Sequence, residues 1–179
     1  MMDARSYNAV VRGKRNRAAG QIFEEIIEAA CREYRQAGVA EIEKTPEAMK
    51  PLGKSNGKGQ FLACYTKKAQ PDFKGTIAGG YSVVFDAKTT STGRIQQSAV
   101  TDEQAGDLER HARLGAVCFI FVSFDFHHYY RIPWEVWREM KSRYGRKYLT
   151  PEDIPEYEIF YRNARLDFLR GMGSLPIGV

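Results

Sequence analysis

The sequence has few cysteines and no long apolar run. Its 179 residues include three cysteines, Cys31, Cys64 and Cys118, an odd number with no CxxC pair, so neither a disulfide framework nor a zinc ribbon is predicted. The longest apolar stretch, residues 114–124, is about half of the roughly 20 residues that a membrane helix needs. No apolar signal-peptide segment opens the chain. We therefore expect a cytoplasmic protein with no membrane partner.

Nucleotide-binding motifs and internal repeats are also missing. Gly53-Lys54-Ser55 resembles the end of a P-loop, but that motif requires a glycine where this chain has Ala48. No GxGxxG sequence is present. The sequence therefore gives no support for an NTPase.

The composition is that of one soluble globular domain with an excess of basic residues. Hydrophobic residues make up 43% and charged residues 27% of the chain, and the net charge is +5, which favours a polyanionic partner. Residues 1–17 contain five basic residues, Arg15 and Arg17 among them, and one acid. We predict a flexible basic arm at 1–17 and a single domain at 18–179; a solvated tail without a partner is the alternative for the arm.

A second basic segment lies between residues 44 and 68. It contains no acid from residue 50 onward and three glycines, at positions 53, 57 and 59. Such a composition predicts a flexible basic protrusion followed by a short strand at 61–65. The five lysines from residue 50 onward are candidates for binding phosphates: Lys50, Lys54, Lys58, Lys67 and Lys68.

The remaining periodicities predict an α/β fold. Apolar residues recur at helical spacing from Gly20 to Gly38. Two strands separated by the turn at 78–80 predict a hairpin, and a helix capped at Thr101 or Asp102 precedes an apolar strand at 116–124. Another strand at 129–132 and a helix after Pro133 complete a mixed sheet flanked by helices.

The sharpest chemical feature is Pro71-Asp72 followed by Asp86-Ala87-Lys88. Side chains alternate along a strand, so Asp86 and Lys88 project from the same face. If the hairpin places Asp72 beside Asp86, two carboxylates converge, and hard oxygen ligands suit Mg²⁺ or Mn²⁺. Such a site, with one lysine, is typical of a metal-dependent nuclease. The competing interpretations are a surface ion pair and an ordinary Pro-Asp turn.

Other candidate residues have simpler explanations. Glu24 lies on the flank of the first apolar stripe and could add a third carboxylate, whereas Glu25 and Glu28 should face solvent. His127 and His128 are adjacent, so on a strand they would point to opposite faces and a joint metal site is disfavoured. Trp134 and Trp137 are one helical turn apart and are expected in the core.

These residues resemble the PD-(D/E)xK nuclease superfamily and, more specifically, the RecU-type Holliday junction resolvases, over about residues 16–169. The PD and DxK elements alone occur in many nucleases, and the ordered set is more specific. It consists of Asn16-Arg17, Gly20, Glu24, Gly38-Val39-Ala40, Pro71-Asp72-Phe73-Lys74-Gly75, Phe85-Asp86-Ala87-Lys88, Gln104, Gly115-Ala116-Val117-Cys118-Phe119 and Arg165-Leu166-Asp167-Phe168.

The resemblance implies a restriction-endonuclease-like fold, a homodimer, a stalk at about 44–68, and Mg²⁺-dependent paired nicking of four-way DNA junctions, with Mn²⁺ as a substitute. It further implies that Asp72, Asp86, Glu24 and the Ala87 backbone carbonyl hold the metal. Lys88 would be the catalytic lysine and Gln104 would orient the lysine or the water. The chain departs from the RecU-type pattern at two places. Position 86 is Asp where close relatives carry Glu, and the stalk is short, as it also is in phage-encoded relatives.

Two other functions remain open at the level of sequence. One is a nuclease of the same superfamily that cuts flaps, ends or linear duplex. The other is a non-catalytic DNA-binding accessory protein of recombination, which the intact Asp72, Asp86 and Lys88 disfavour. A recombinase is a further candidate partner for the resolvase function.

Overall fold

A six-stranded mixed sheet with helices on both faces organises the chain, as seen in a computed structural model that describes residues 4–65, 70–162 and 165–172. The helices are α1 (Ala4–Gln36), α2 (Asp102–Arg113), α3 (Trp134–Arg138) and α4 (Met140–Tyr144). The strands are β1 (Ala40–Lys44), β2 (Met49–Pro51), β3 (Ala63–Tyr65), β4 (Phe73–Ile77), β5 (Tyr81–Thr90), β6 (Ile95–Gln96), β7 (Val117–Phe124), β8 (His128–Pro133), β9 (Tyr148–Leu149), β10 (Glu158–Ile159), β11 (Tyr161–Arg162) and β12 (Arg165–Leu166).

The central sheet has the order β1-β4-β5-β7-β8-β10. Strands β5 and β7 are parallel, and the other neighbouring pairs are antiparallel. The predicted α/β class, the β4–β5 hairpin and the strand at 116–124 are confirmed. Helix α2 also begins as predicted, since Thr101 and Gln104 form a reciprocal capping box.

Two hydrophobic cores cover the two faces of the sheet because residues alternate along β5. Val83 and Phe85 face α1, where Phe85 stacks on Phe73 with ring centroids 4.9 Å apart and on Phe119 at 4.5 Å. Val84 faces the opposite side, with α2, α3 and the β6–β9 ribbon. The core includes Trp134 and Trp137, as predicted.

Gly75 allows β1 to join the sheet. A Cβ atom at this position would lie 2.1 Å from the backbone oxygen of Glu41 and 2.6 Å from the Cα of Ile42. No side chain fits so close to the backbone of a neighbouring strand. The glycine therefore fixes the packing of β1 against β4, which carries Asp72 at its start.

The N-terminal segment forms the first half of a long helix. Helix α1 begins at Ala4, so the described residues 4–17 are helical in this structure, and the flexibility of this basic arm stays a prediction. The segment lacks proline, and half of its residues are arginine, alanine or lysine, which have high helix propensity. The apolar stripe that packs on the sheet begins only at Phe23, and Lys14, Arg15 and Arg17 are exposed.

The C-terminal segment is fixed by the first helix. The Tyr34 hydroxyl donates to Asp167 Oδ1 at 2.9 Å and accepts a hydrogen bond from the Leu169 backbone at 3.1 Å. Leu166 and Phe168 are buried in the α1-side core. The C-terminal part of the sequence resemblance therefore has a structural explanation.

Candidate active site

The β4–β5 hairpin brings the two predicted aspartates together. Phe73 lies opposite Phe85 in the antiparallel register, so Asp72 follows opposite Asp86. The Asp72 backbone donates to Asp86 Oδ1 at 2.9 Å, and the Ala87 backbone donates to Asp72 Oδ2, also at 2.9 Å. Each carboxylate is thus oriented by the main chain of the other strand.

Lys88 completes a compact charged cluster with the two aspartates. Its Nζ lies 3.8 Å from Asp72 Oδ2 and 3.7 Å from Asp86 Oδ2. The side chains of Asp86, Lys88 and Asp72 are 0%, 16% and 25% exposed. One ammonium therefore lies between two largely buried carboxylates, as the alternation along β5 predicts.

Burial dominates the electrostatics of the pair. Removal from water raises the pKa of Asp86 to about 6, while Lys88 opposes the shift and the charge of Asp72 adds to it. The pKa of Asp72 is raised as well, mainly by burial and against the effect of Lys88. A cation bound between these carboxylates would offset the cost of keeping both charged.

The donor set fits a hard divalent cation. Asp86 Oδ2 is buried and accepts no hydrogen bond from the described residues. An orphaned carboxylate oxygen next to a second carboxylate is the ligand type that Mg²⁺ and Mn²⁺ prefer. Within the described ranges, however, no group of three or more His, Cys, Asp or Glu side chains is close enough to hold a metal.

Glu24 does not join the two aspartates in this structure. Its carboxylate pairs with Lys44 at 2.7 Å, and Lys44 also lies 3.7 Å from Glu28. Glu24 is near enough to raise the pKa of Asp72 by its charge, but the ammonium of Lys44 is the nearer partner. The side chain of Glu28, beside Lys44, is 37% exposed against 25% for Glu24, so Glu28 is the more solvated of the two, as predicted. The ligand role of Glu24 stays a prediction.

Two further predicted site residues have visible structural contacts. Gln104 Oε1 accepts a hydrogen bond from the Thr101 backbone at 3.2 Å, and the Gln104 backbone donates to Thr101 Oγ1. No hydrogen bond or ion pair seen in the described part of the chain links Gln104 to Asp72, Asp86 or Lys88. Ala87 turns its side chain to the α1-side core, and its carbonyl stays a predicted ligand.

The sequence did not single out Lys44 and Thr45, which connect β1 to the site. The Thr45 backbone donates to the Asp72 carbonyl at 2.8 Å. Lys44 lies opposite Phe73 in the register and balances Glu24. The alternation of buried Ile42 with exposed neighbours is the sequence signal for this strand, which ends at the predicted start of the protrusion.

The predicted DNA-binding residues lie on two exposed elements. Lys50, Lys54 and Lys58 belong to a ribbon formed by β2, β3 and the segment that connects them, which we call the stalk ribbon. A hydrogen bond from the Leu52 backbone to the Leu62 carbonyl, at 2.8 Å, closes it. Arg15 and Arg17 are exposed on α1. Lys67 and Lys68 lie outside the described residues.

Among the helices of the described residues, none has the length and apolar character needed to cross a bilayer. The nearest candidate by length, α1, is strongly basic in its first half.

Comparisons with known proteins identify the family. A search of curated proteins gives no match. A solved structure of Hjc from Archaeoglobus fulgidus, a Holliday junction resolvase from an archaeal hyperthermophile, is similar at a TM-score of 0.49 and 16% identity, over 76% of this chain and 93% of that chain. The model of the family named recombination protein U matches residues 18–173. The chain therefore belongs to the RecU family of Holliday junction resolvases.

Proposed function

We propose that this protein is a divalent-metal-dependent DNA endonuclease that resolves four-way junctions by paired nicking. Membership of the RecU family supports junction resolution. The observation that carries the chemistry is the buried cluster of Asp72, Asp86 and Lys88, in which each aspartate is oriented by the other strand. A buried charged cluster of this kind is costly to keep without a task.

The residues divide the reaction between them. A divalent cation bound by Asp72 and Asp86 would polarise the scissile phosphate and lower the pKa of an attacking water. Asp86 offers to the cation its Oδ2, which accepts no hydrogen bond within the described residues, and the Ala87 amide holds Asp72 Oδ2 in place. Lys88, between the carboxylates, donates a hydrogen bond to the attacking water or to the phosphate oxygen on which charge develops.

Substrate binding is assigned to phosphate contacts. The exposed lysines Lys50, Lys54 and Lys58 and the α1 residues Arg15 and Arg17 carry positive charge and no base code. Their contribution should weaken steeply as salt rises, since each neutralised phosphate releases counterions. A flat affinity between low and moderate salt would contradict this assignment.

We further propose a homodimer that acts in the cytoplasm. A four-way junction has two-fold symmetry, and two symmetric cuts require two sites related by a two-fold axis. Mass measurement by light scattering, with and without a junction, tests this: a monomer in both samples would reject it. A recombinase partner is also proposed, on the family relationship alone, and co-purification with a recombinase filament tests it.

The test of the function uses three labelled substrates of matched sequence: an immobile four-way junction, a flap and a linear duplex. Each is incubated with the protein in Mg²⁺ or EDTA and analysed on a denaturing gel. Paired nicks near the branch point, on the junction and with Mg²⁺, are expected. Equal cutting of all three would indicate a general nuclease, and binding without cutting would indicate an accessory DNA-binding protein.

A further inference from the structure

A second basic surface, separate from the stalk ribbon, lies on β6 and β9. These strands pair with Ile95 opposite Leu149 and Gln96 opposite Tyr148. Ile95 and Leu149 are buried on the same side of the sheet as Val84. Because residues alternate, the opposite side of the ribbon faces outward, and this side carries an aromatic ring that contacts two guanidinium groups.

The outward ring is Tyr148, and both neighbouring cations are arginines. The Cζ of Arg146 lies 4.7 Å and that of Arg94 5.3 Å from the ring centroid, distances typical of cation–π contacts. Arg146 is also held by Asp153, with Nη2 2.7 and 2.6 Å from the two carboxylate oxygens. Its charge is therefore locally balanced.

Arg94 differs because its charge is not balanced. It is exposed, and no described acid forms an ion pair with it. Lys147, next to Tyr148, is also exposed and has no acidic partner in the described part of the chain. Two cations without an acidic partner, Arg94 and Lys147, therefore lie at this surface, and the Tyr148 ring packs against Arg94.

The position of Arg94 is fixed relative to the active site. After Asp86 and Lys88, strand β5 continues to its last residue, Thr90. The Thr90 Oγ1 hydroxyl donates a hydrogen bond to the Arg94 carbonyl at 2.8 Å. Asp86 and Lys88 alternate with Ala87 and so project from the face of the sheet that the β6–β9 ribbon covers. Arg94 lies six positions after Lys88, so the two Cα atoms are at most about 22 Å apart.

We propose that Arg94, supported by Tyr148 and Arg146 and together with Lys147, binds the phosphate backbone of the duplex arm that leaves the active site. The inference rests on the proposed nuclease function. Base pairs of B-DNA are spaced by about 3.4 Å, so the contact, including the reach of the side chains, falls within about ten base pairs of the cut. Exposed planar guanidinium groups without an acidic partner fit phosphates better than they fit a hydrophobic protein surface.

The test compares Arg94→Gln with Arg32→Gln, which removes the same charge from an exposed site on α1, across the sheet. Junctions with arms of about 4 and about 12 base pairs are bound without Mg²⁺ at several salt concentrations. On long arms, R94Q should bind about fivefold more weakly, with a log–log salt slope smaller by about one. Arm shortening should weaken wild-type and R32Q binding more than R94Q binding. Arg94→Lys should restore the slope.

The outcomes separate this proposal from the nuclease function, because the same samples are assayed for cutting with Mg²⁺. The proposal would be overturned if R94Q bound junctions with the affinity, the salt slope and the arm-length dependence of the wild-type protein. This holds even if all the proteins cut the junction. If R94Q binds more weakly but the wild-type protein cuts no substrate, the DNA-binding surface is supported and the nuclease function is rejected. Equal losses in R94Q and R32Q would show a general charge effect and also overturn it.

Discussion

Two antiparallel strand pairs of this chain differ in how far their side chains are buried. In the β4–β5 hairpin, the inward residues Phe73 and Phe85 are fully buried and stacked. In the β2–β3 hairpin, Leu62 and Tyr65 are 74% and 70% exposed. A two-stranded ribbon without a covering layer is marginally stable by itself, so it suits substrate contact, whereas the buried hairpin suits chemistry that requires fixed distances. The proposed function therefore assigns cutting to the β4–β5 hairpin and substrate choice to the β2–β3 hairpin.

The largest expected effect concerns the buried hairpin. Lys88→Ala should reduce Mg²⁺-dependent cutting of a four-way junction by about a hundredfold or more, because it removes the charge next to the reacting phosphate. Lys74→Ala is the matched control on the same hairpin, where the lysine contacts Gln70 at 3.4 Å instead of the aspartates. Single-turnover rates measure both. Equal rates for the two variants would exclude Lys88 from the chemistry.

Stability should also differ between the hairpins. Gly75→Ala places a methyl group against the β1 backbone and should lower the free energy of unfolding by about 1–3 kcal/mol. Gly57→Ala in the stalk ribbon meets nothing within 4 Å and should change it by less than about 0.5 kcal/mol. Urea unfolding curves compare the two. Similar midpoints would show that the backbone contact at Gly75 is easily relieved.

Substrate choice should depend on the exposed hairpin. Deletion of residues 54–59 leaves the Leu52–Leu62 hydrogen-bonded pair to close a shorter turn. We expect the preference for junction over linear duplex to fall by about tenfold, or about 1.4 kcal/mol, with the melting temperature unchanged. Competition binding and cutting of both substrates measure the preference. An unchanged preference would show that the ribbon does not read junctions.

The smallest expected effect is on stability, and it concerns Glu109 on helix α2, which packs on the same side of the sheet as Val84. Hydrogen bonds from Trp134 and then from Arg138 and Arg113 lower the pKa of Glu109 to about 2, from an ordinary value of 4.5. Because the folded pKa is the lower one, the stabilisation is complete above about pH 4.5 and is lost as the pH falls towards 2. The difference in melting temperature between wild-type protein and Glu109→Gln should therefore shrink from pH 6 to pH 3. A constant difference would contradict this.

Much of the buried hairpin was predictable because its sequence pattern is local. Apolar alternation in β5 and the turn at 78–80 predict the pairing, and the pairing in turn predicts that Asp72 meets Asp86. The same reasoning places Lys88 on the face of Asp86. These predictions are confirmed by the register and by the two backbone-to-carboxylate hydrogen bonds.

The parts that the sequence missed depend on contacts between distant segments. The partner of Glu24 could not be read from α1, since Lys44 comes from another element. The helical start of α1 carries no apolar period, and propensity alone did not distinguish a helix from an arm. The β6–β9 ribbon is two residues long on each side, below the length at which alternation is a signal.

The central claim is that the Asp72–Asp86–Lys88 cluster performs the cutting and that DNA binding lies elsewhere. Asp86→Asn tests it most directly, by measuring junction affinity in Ca²⁺ and single-turnover cutting in Mg²⁺ on the same preparation. We predict an affinity within about threefold of wild type and cutting reduced by about a hundredfold or more. Cutting at the wild-type rate would contradict the claim, because Asp86 is the fully buried carboxylate on which the proposed metal site depends.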